Sequence, residues 1–123
     1  MGARATIRII HPTSDTPIHL YTHWRGDDIL EILAEGISRA DIAGRLSDYS
    51  YATRIIFDTL TMCDGGETGF GICIGDEGEP GDLNYDTPTL AWLPSGTVEV
   101  YYNSLVVDAT DFVDMVNKSL TDA

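Results

Sequence analysis

The residues best placed to do chemistry are carboxylates. Between Cys63 and Asp86 lie Asp64, Glu67, Asp76, Glu77, Glu79, Asp82 and Asp86, interleaved with seven glycines and with no Lys, Arg or His. Such a stretch suits three chemistries: phosphate binding by glycine-rich backbone, cation binding, or docking of a basic partner. Phosphate loops place a strand before the glycines and a helix after them, so that the helix N-terminus faces the anion. Around "GGETGFG" the pattern reads helix first and strand second, with no Lys in a G-K-[ST] context. That order and the negative field argue against phosphate. For cations, "DLNYDT" sets Asp82, Asn84 and Asp86 at calcium-loop spacing, but Thr87 stands where the turn needs Gly and Leu93 where a bidentate Glu belongs. A weak ion site at Asp76, Glu77, Glu79 and Asp82 is the alternative reading. No metal ligand set and no cofactor is assigned. All seven acids are assigned as partner-binding residues.

Other reactive side chains are sparse. His19 and His23 stand four apart, roughly 13 Å along a strand, too far to share one ion. They and His11 are expected to face solvent. Cys63 and Cys73 form no C-x-x-C pair. They read as small buried hydrophobes, with a disulfide across the intervening loop as the alternative. No Ser-His-Asp order, G-x-S-x-G elbow, H-E-x-x-H or H-x-E…C-x-x-C motif occurs. Tyr21, His23 and Arg25 make the one mixed acid-base group. The expectation is a protein that is not an enzyme.

The charge is one-sided. Net charge is −13, and the bases are six arginines and Lys118. Residues 1–54 hold seven acids and six arginines, whereas Ile55 to Asn117 hold twelve acids and no base. Acids serving solubility alone would be spread evenly. A one-sided field suits a basic protein surface or cations and repels nucleic acid. The longest apolar runs are too short to span a bilayer, and Arg8 interrupts the N-terminal one. A cytoplasmic protein without membrane contact is expected.

These residues need positioning. At 123 residues with 43% hydrophobic content, the chain suits one domain, 1–123. "ATIRIIHP" alternates Thr6 and Arg8 with Ile7 and Ile9, and "PIHLYTHW" alternates His19, Tyr21 and His23 with Ile18, Leu20, Thr22 and Trp24. Together they predict an antiparallel hairpin. In "RGDD", Gly26 lets the chain turn, and Asp28 with Glu31 makes a capping box for a helix over 28–37. "SRADIAGRL" predicts a second helix capped by Ser38, with Ile42 and Leu46 buried. "YSYATRIIFDTLTMC" predicts a third, stopped by Asp64 to Gly66. Thr68 to Gly75 form a strand with Phe70, Ile72 and Ile74 on one face. Its glycine face is open to close approach by a helix or backbone. Asp76 to Asp86 form an acidic loop and strand edge. "LNYDTPTLAWL" gives a short strand or two, and "TVEVYYN" a strand with Val98, Val100 and Tyr102 inward. "DATDFVDMVNKSL" is a terminal helix capped by Asp108 or Thr110, with Phe112, Val113, Val116 and Leu120 packed. The fold class is α+β, an antiparallel sheet packed by about three helices and a C-terminal helix.

The segments "YTHWRG", "YATRIIFDTL", "TGFGI" and "TVEVYY" resemble those of small uncharacterised bacteriophage and prophage proteins of the actinobacterial type, over about residues 5–103. The resemblance implies a phage or mobile-element origin and carries over no catalytic residue. The acidic "GDEGEPGD" is particular to this chain. The combined expectation is a small acidic, phage-encoded inhibitor of a host nucleic-acid-handling protein. It would occupy a basic surface of that host protein through carboxylates that stand in for phosphates. A metal- or ligand-binding module and a domain whose acids serve solubility are the alternatives.

Overall fold

Alternation at the N-terminus gives β1, Ala5–Ile10, which turns through "TSDTP" into β2, Ile18–Thr22. The two pair antiparallel, with Arg8 opposite His19 and Ile7 opposite Leu20. The computed structural model describes residues 2–62, 68–76 and 80–122. Four further strands follow: β3, Phe70–Ile74; β4, Thr89–Trp92; β5, Val98–Tyr102; and β6, Leu105–Asp108. They join one six-stranded sheet in the order β3-β2-β1-β4-β5-β6. Every pairing is antiparallel except β1 with β4. Three helices complete the α+β fold: α1, Ile29–Ile42; α2, Tyr49–Thr61; and α3, Ala109–Asp122.

The helices cover one face. Ile7, Leu20, Leu90 and Val100 from the strands meet Leu33 and Ile37 of α1, Ile56 and Leu60 of α2, and Phe112 of α3 in one apolar core. α1 packs against both other helices. Gly36 is what lets α2 come close: a Cβ there would lie 2.8 Å from Ile56 Cγ1 and 3.0 Å from Ile56 Cα. The sequence places a break after this residue. Instead α1 runs through it, and Ser38 is an interior residue rather than a cap. The propensity lost at Gly36 is offset by the close packing it permits. Ile42, expected in the core, is 85% exposed, and Leu46 packs against the core's margin.

The start of α1 also differs from expectation. Asp28 makes no side-chain cap, because a 3-10 turn over Gly26–Asp28 precedes the helix and the Ile29 N–H already bonds the Gly26 carbonyl. Gly26 itself is needed for proximity more than for turning. Its N–H donates to the Ala3 carbonyl at 2.7 Å, and a side chain there would strike Ala3 and the Tyr85 ring. At α2 it is Asp48 whose carboxylate accepts from the Tyr51 N–H.

β6 was not expected. Asn103 and Ser104 both adopt left-handed backbone, φ 49 and 68, and close a two-residue hairpin between Tyr102 and Leu105. This turn geometry matches the twist of the paired strands. Asp108 ends β6 and caps α3, accepting from the Thr110 N–H at 2.9 Å and its hydroxyl at 2.7 Å. These bonds hold the Asp108 carboxyl below its ordinary range. Phe112 is buried as expected, while Leu120 is 52% exposed. Of "LNYDTPTLAWL", only Thr89–Trp92 is a strand. Among the described residues no helix is long and apolar enough to cross a membrane.

Candidate protein-binding surface

The face of the sheet away from the helices is polar. Strand parity sends Thr6 and Arg8 opposite to Ile7 and Ile9. The pairings then line Cys73, His19, Arg8, Thr89, Tyr101 and Val106 in one row across all six strands. Because β3 is an edge and β4 lies beyond β1, the chain between them must cross β2 and β1. Its contacts place that crossing on the polar face.

Asp76 begins the crossing. Arg8 donates to it through both Nε and Nη2, at 2.9 and 3.0 Å, a two-pronged pair. His19 Nε2 lies 3.1 Å from the same carboxylate. The Arg8 hydrogen bond first, and that of His19 second, hold the Asp76 carboxyl down to about 2. Farther on, the Arg4 Nε donates to the Asp82 carbonyl at 2.8 Å. Arg4 and Asn84 are joined twice more: the Arg4 N–H donates to Asn84 Oδ1, and the Asn84 N–H to the Arg4 carbonyl, each at 2.8 Å. Asp82 takes left-handed backbone, φ 59, to make this turn, a conformation Asp tolerates better than most residues. The hydroxyls of Thr6 and Thr87 lie 3.1 Å apart, and the Arg8 N–H donates to the Pro88 carbonyl as the chain enters β4.

The seven acids therefore divide. Asp82 and Asp86 are exposed on the loop. Asp76 is exposed as well, yet its carboxylate is committed to Arg8 and His19, so it holds the loop in place. Asp64, Glu67, Glu77 and Glu79 lie outside the described residues, as do the helix stop at Asp64 to Gly66 and Cys63. Cys73 carries a free thiol. Asn84, a ligand in the calcium-like reading, is occupied by Arg4. Among the described residues no group of three or more His, Cys, Asp or Glu could hold a metal ion. Of the remaining acids past Ile55, Glu99 and Asp108 sit opposite each other on β5 and β6. Tyr101 donates to Glu99 at 2.9 Å, and this bond raises the Tyr101 pKa. Asp58 instead pairs with Arg39 between α1 and α2 at 2.9 Å, and Asp111 and Asp114 lie on α3.

The histidines need correcting. His19 is fully buried beneath the loop rather than solvent-facing. His11 and His23 are half-buried, the first against the Tyr49 ring and the second against Trp24. The Tyr21, His23, Arg25 group is split. Tyr21 Oη and His23 Nδ1 lie 2.8 Å apart, but Arg25 turns to the Leu60 carbonyl at the end of α2. The glycine face of β3 is bare beside Gly71, and at Gly69 it is the Trp24 side chain that comes close, rather than the helix or backbone expected. Arg4, Arg8 and His19, which hold the loop, are the positions that sequence reasoning passed over. Hairpin alternation already put Arg8 and His19 on one face, which was the available signal. Comparison with protein-family models, curated proteins and solved structures finds no match to this chain.

Proposed function

We propose that this protein is an acidic binding protein that occupies a basic surface of a partner protein through the loop ahead of β4. The observation carrying this reading is the clamping of that loop. Arg8 and His19 fix its start and Arg4 its middle, so Asp82 and Asp86 are displayed on a backbone already ordered. Preordering lowers the entropy lost on binding. No base between Ile55 and Asn117 competes for these carboxylates within that half of the sequence. Carboxylates of this kind pair with Arg and Lys that otherwise hold phosphates, and long-range attraction speeds encounter. The partner class is a nucleic-acid-handling host protein, in keeping with the phage-like segments.

The test is direct binding to purified bacterial RNA polymerase, a restriction endonuclease and a CRISPR effector nuclease, at low and high salt. Binding to one of them should weaken with salt and compete with its nucleic acid. A variant combining Glu77→Gln, Glu79→Gln, Asp82→Asn and Asp86→Asn should lose that binding while melting like the parent. Binding that ignores both salt and the variant sinks the reading, and so does a panel with no binder.

A further inference from the structure

β3 ends the sheet, and no strand among the described residues pairs with its outer edge. Its ladder to β2 is fixed at both ends. The Gly75 N–H donates to the Pro17 carbonyl at 2.6 Å, and the His23 N–H to the Gly69 carbonyl at 2.8 Å. Residues of an antiparallel strand turn alternately to one neighbour and to the other. Gly71 and Cys73 therefore bond inward with Gly69 and Gly75. The N–H and C=O groups of Phe70, Ile72 and Ile74 face outward. The side chains of these three lie on the helix-bearing face, in register with Thr22, Leu20 and Ile18. Even so, Ile72 is 56% and Ile74 71% exposed.

Sheets blunt such an edge with Lys, Pro or a bulge. "FGICI" has no charge and no Pro. Acids flank it in the sequence instead, Asp64 and Glu67 before it and Glu77 and Glu79 after it. We propose that β3 is a docking edge for an extended segment of a partner protein, one that alternates aliphatic side chains and carries Lys or Arg at both ends. The segment adds to the sheet beside β3, with backbone bonds to Phe70, Ile72 and Ile74. Its aliphatic side chains settle on the exposed Ile72 and Ile74. A second copy of this chain fits worse, because each molecule carries net charge −13 and like-charged chains repel. The inference shares with the loop reading the demand for a basic partner, but it rests on backbone pairing and not on Asp82 and Asp86.

The test titrates isotope-labelled protein with a synthetic peptide that has a Val-Thr-Val-Thr-Val core and an Arg-Lys pair at each end. Amide exchange should slow at Ile72 and Ile74 and stay unchanged at Gly71 and Cys73. Ile72→Pro removes an outward donor without touching the bonds to β2, and should weaken the peptide about tenfold. Ile74→Lys keeps the backbone intact and should weaken it through like charge. The pair Asp82→Asn and Asp86→Asn should retain peptide binding, so failure of the loop reading and failure of this one are separable. Absent protection at Ile72 and Ile74, or equal affinity in both β3 variants, overturns the proposal. The same protection arising without peptide, with dimers growing at higher concentration, also overturns it and assigns the edge to a second copy.

Discussion

The two faces of the sheet are closed by different physics. On the helix-bearing face, apolar side chains from the inner strands and all three helices interlock, with Phe70 and Val107 of the outer strands packed against their margin. On the polar face, one crossing loop is held by a few directed bonds from Arg4, Arg8 and His19. Apolar closure is redundant and insensitive to pH. Ionic closure is sparse, positioned by register and titratable. The first builds the fold. The second orders a loop while leaving the Asp82 and Asp86 side chains exposed.

The largest test of that contrast removes volume from the covered face. Leu33→Ala should destabilise by about 2–5 kcal/mol, the range for truncating a fully buried leucine, read as a lower urea midpoint. Next comes the α1–α2 contact. Gly36→Ala gains about 1 kcal/mol of helix propensity but forces Ile56 away, and overpacking costs about 1–3 kcal/mol. A net loss is expected, smaller than for Leu33→Ala. A stabilised Gly36→Ala protein would mean that the two helices are not in close contact there.

What was legible in the sequence follows the same division. Ile7, Ile9, Leu20, Ile32, Ile37, Ile56 and Leu60 sit at strand or helix period, so the core and the α+β class could be read from local pattern. Local pattern failed where tertiary packing overrode it, as at Gly36, where α2 fills the space a side chain would take. It also failed at Asn103 and Ser104, since neither is the glycine that usually marks such a hairpin. The polar face was nearly illegible for another reason. Arg8 meets Asp76 sixty-eight residues on, and Arg4 meets Asp82 seventy-eight residues on. No periodicity reports such pairings. Asp76 looked like its neighbours in "GDEGEP", and only its position opposite Arg8 and His19 gives it a separate role.

That role has a pH signature. The Asp76 carboxyl titrates at about 2 in the folded protein, against an ordinary 3.8. A depressed folded value means that the stabilisation is fully present above about pH 4 and is lost as the pH falls toward 2. Asp76→Asn should therefore melt below the parent at neutral pH, and the gap should close across that acid window. Arg8→Gln should narrow the same window, since the His19 bond to Asp76 remains. A gap that persists unchanged down to pH 2 would show that the Arg8 pairing does not hold the loop.

The smallest effect on stability is expected at Asp82 and Asp86, and there the contrast between faces becomes a contrast within one loop. Both side chains are exposed, and the Arg4 bond at residue 82 goes to the backbone carbonyl, which an Asn retains. The double change Asp82→Asn and Asp86→Asn should shift stability by no more than about 0.5 kcal/mol. It should still slow association with a basic partner and flatten the salt dependence of that rate. Asp76→Asn should do the reverse, lowering stability at neutral pH while removing no carboxylate that is free to meet a partner. Measuring melting and association rate for both variants therefore separates the acid that holds the loop from the acids that the loop displays. Equal losses in both measurements for both variants would mean that the loop has no such division of roles.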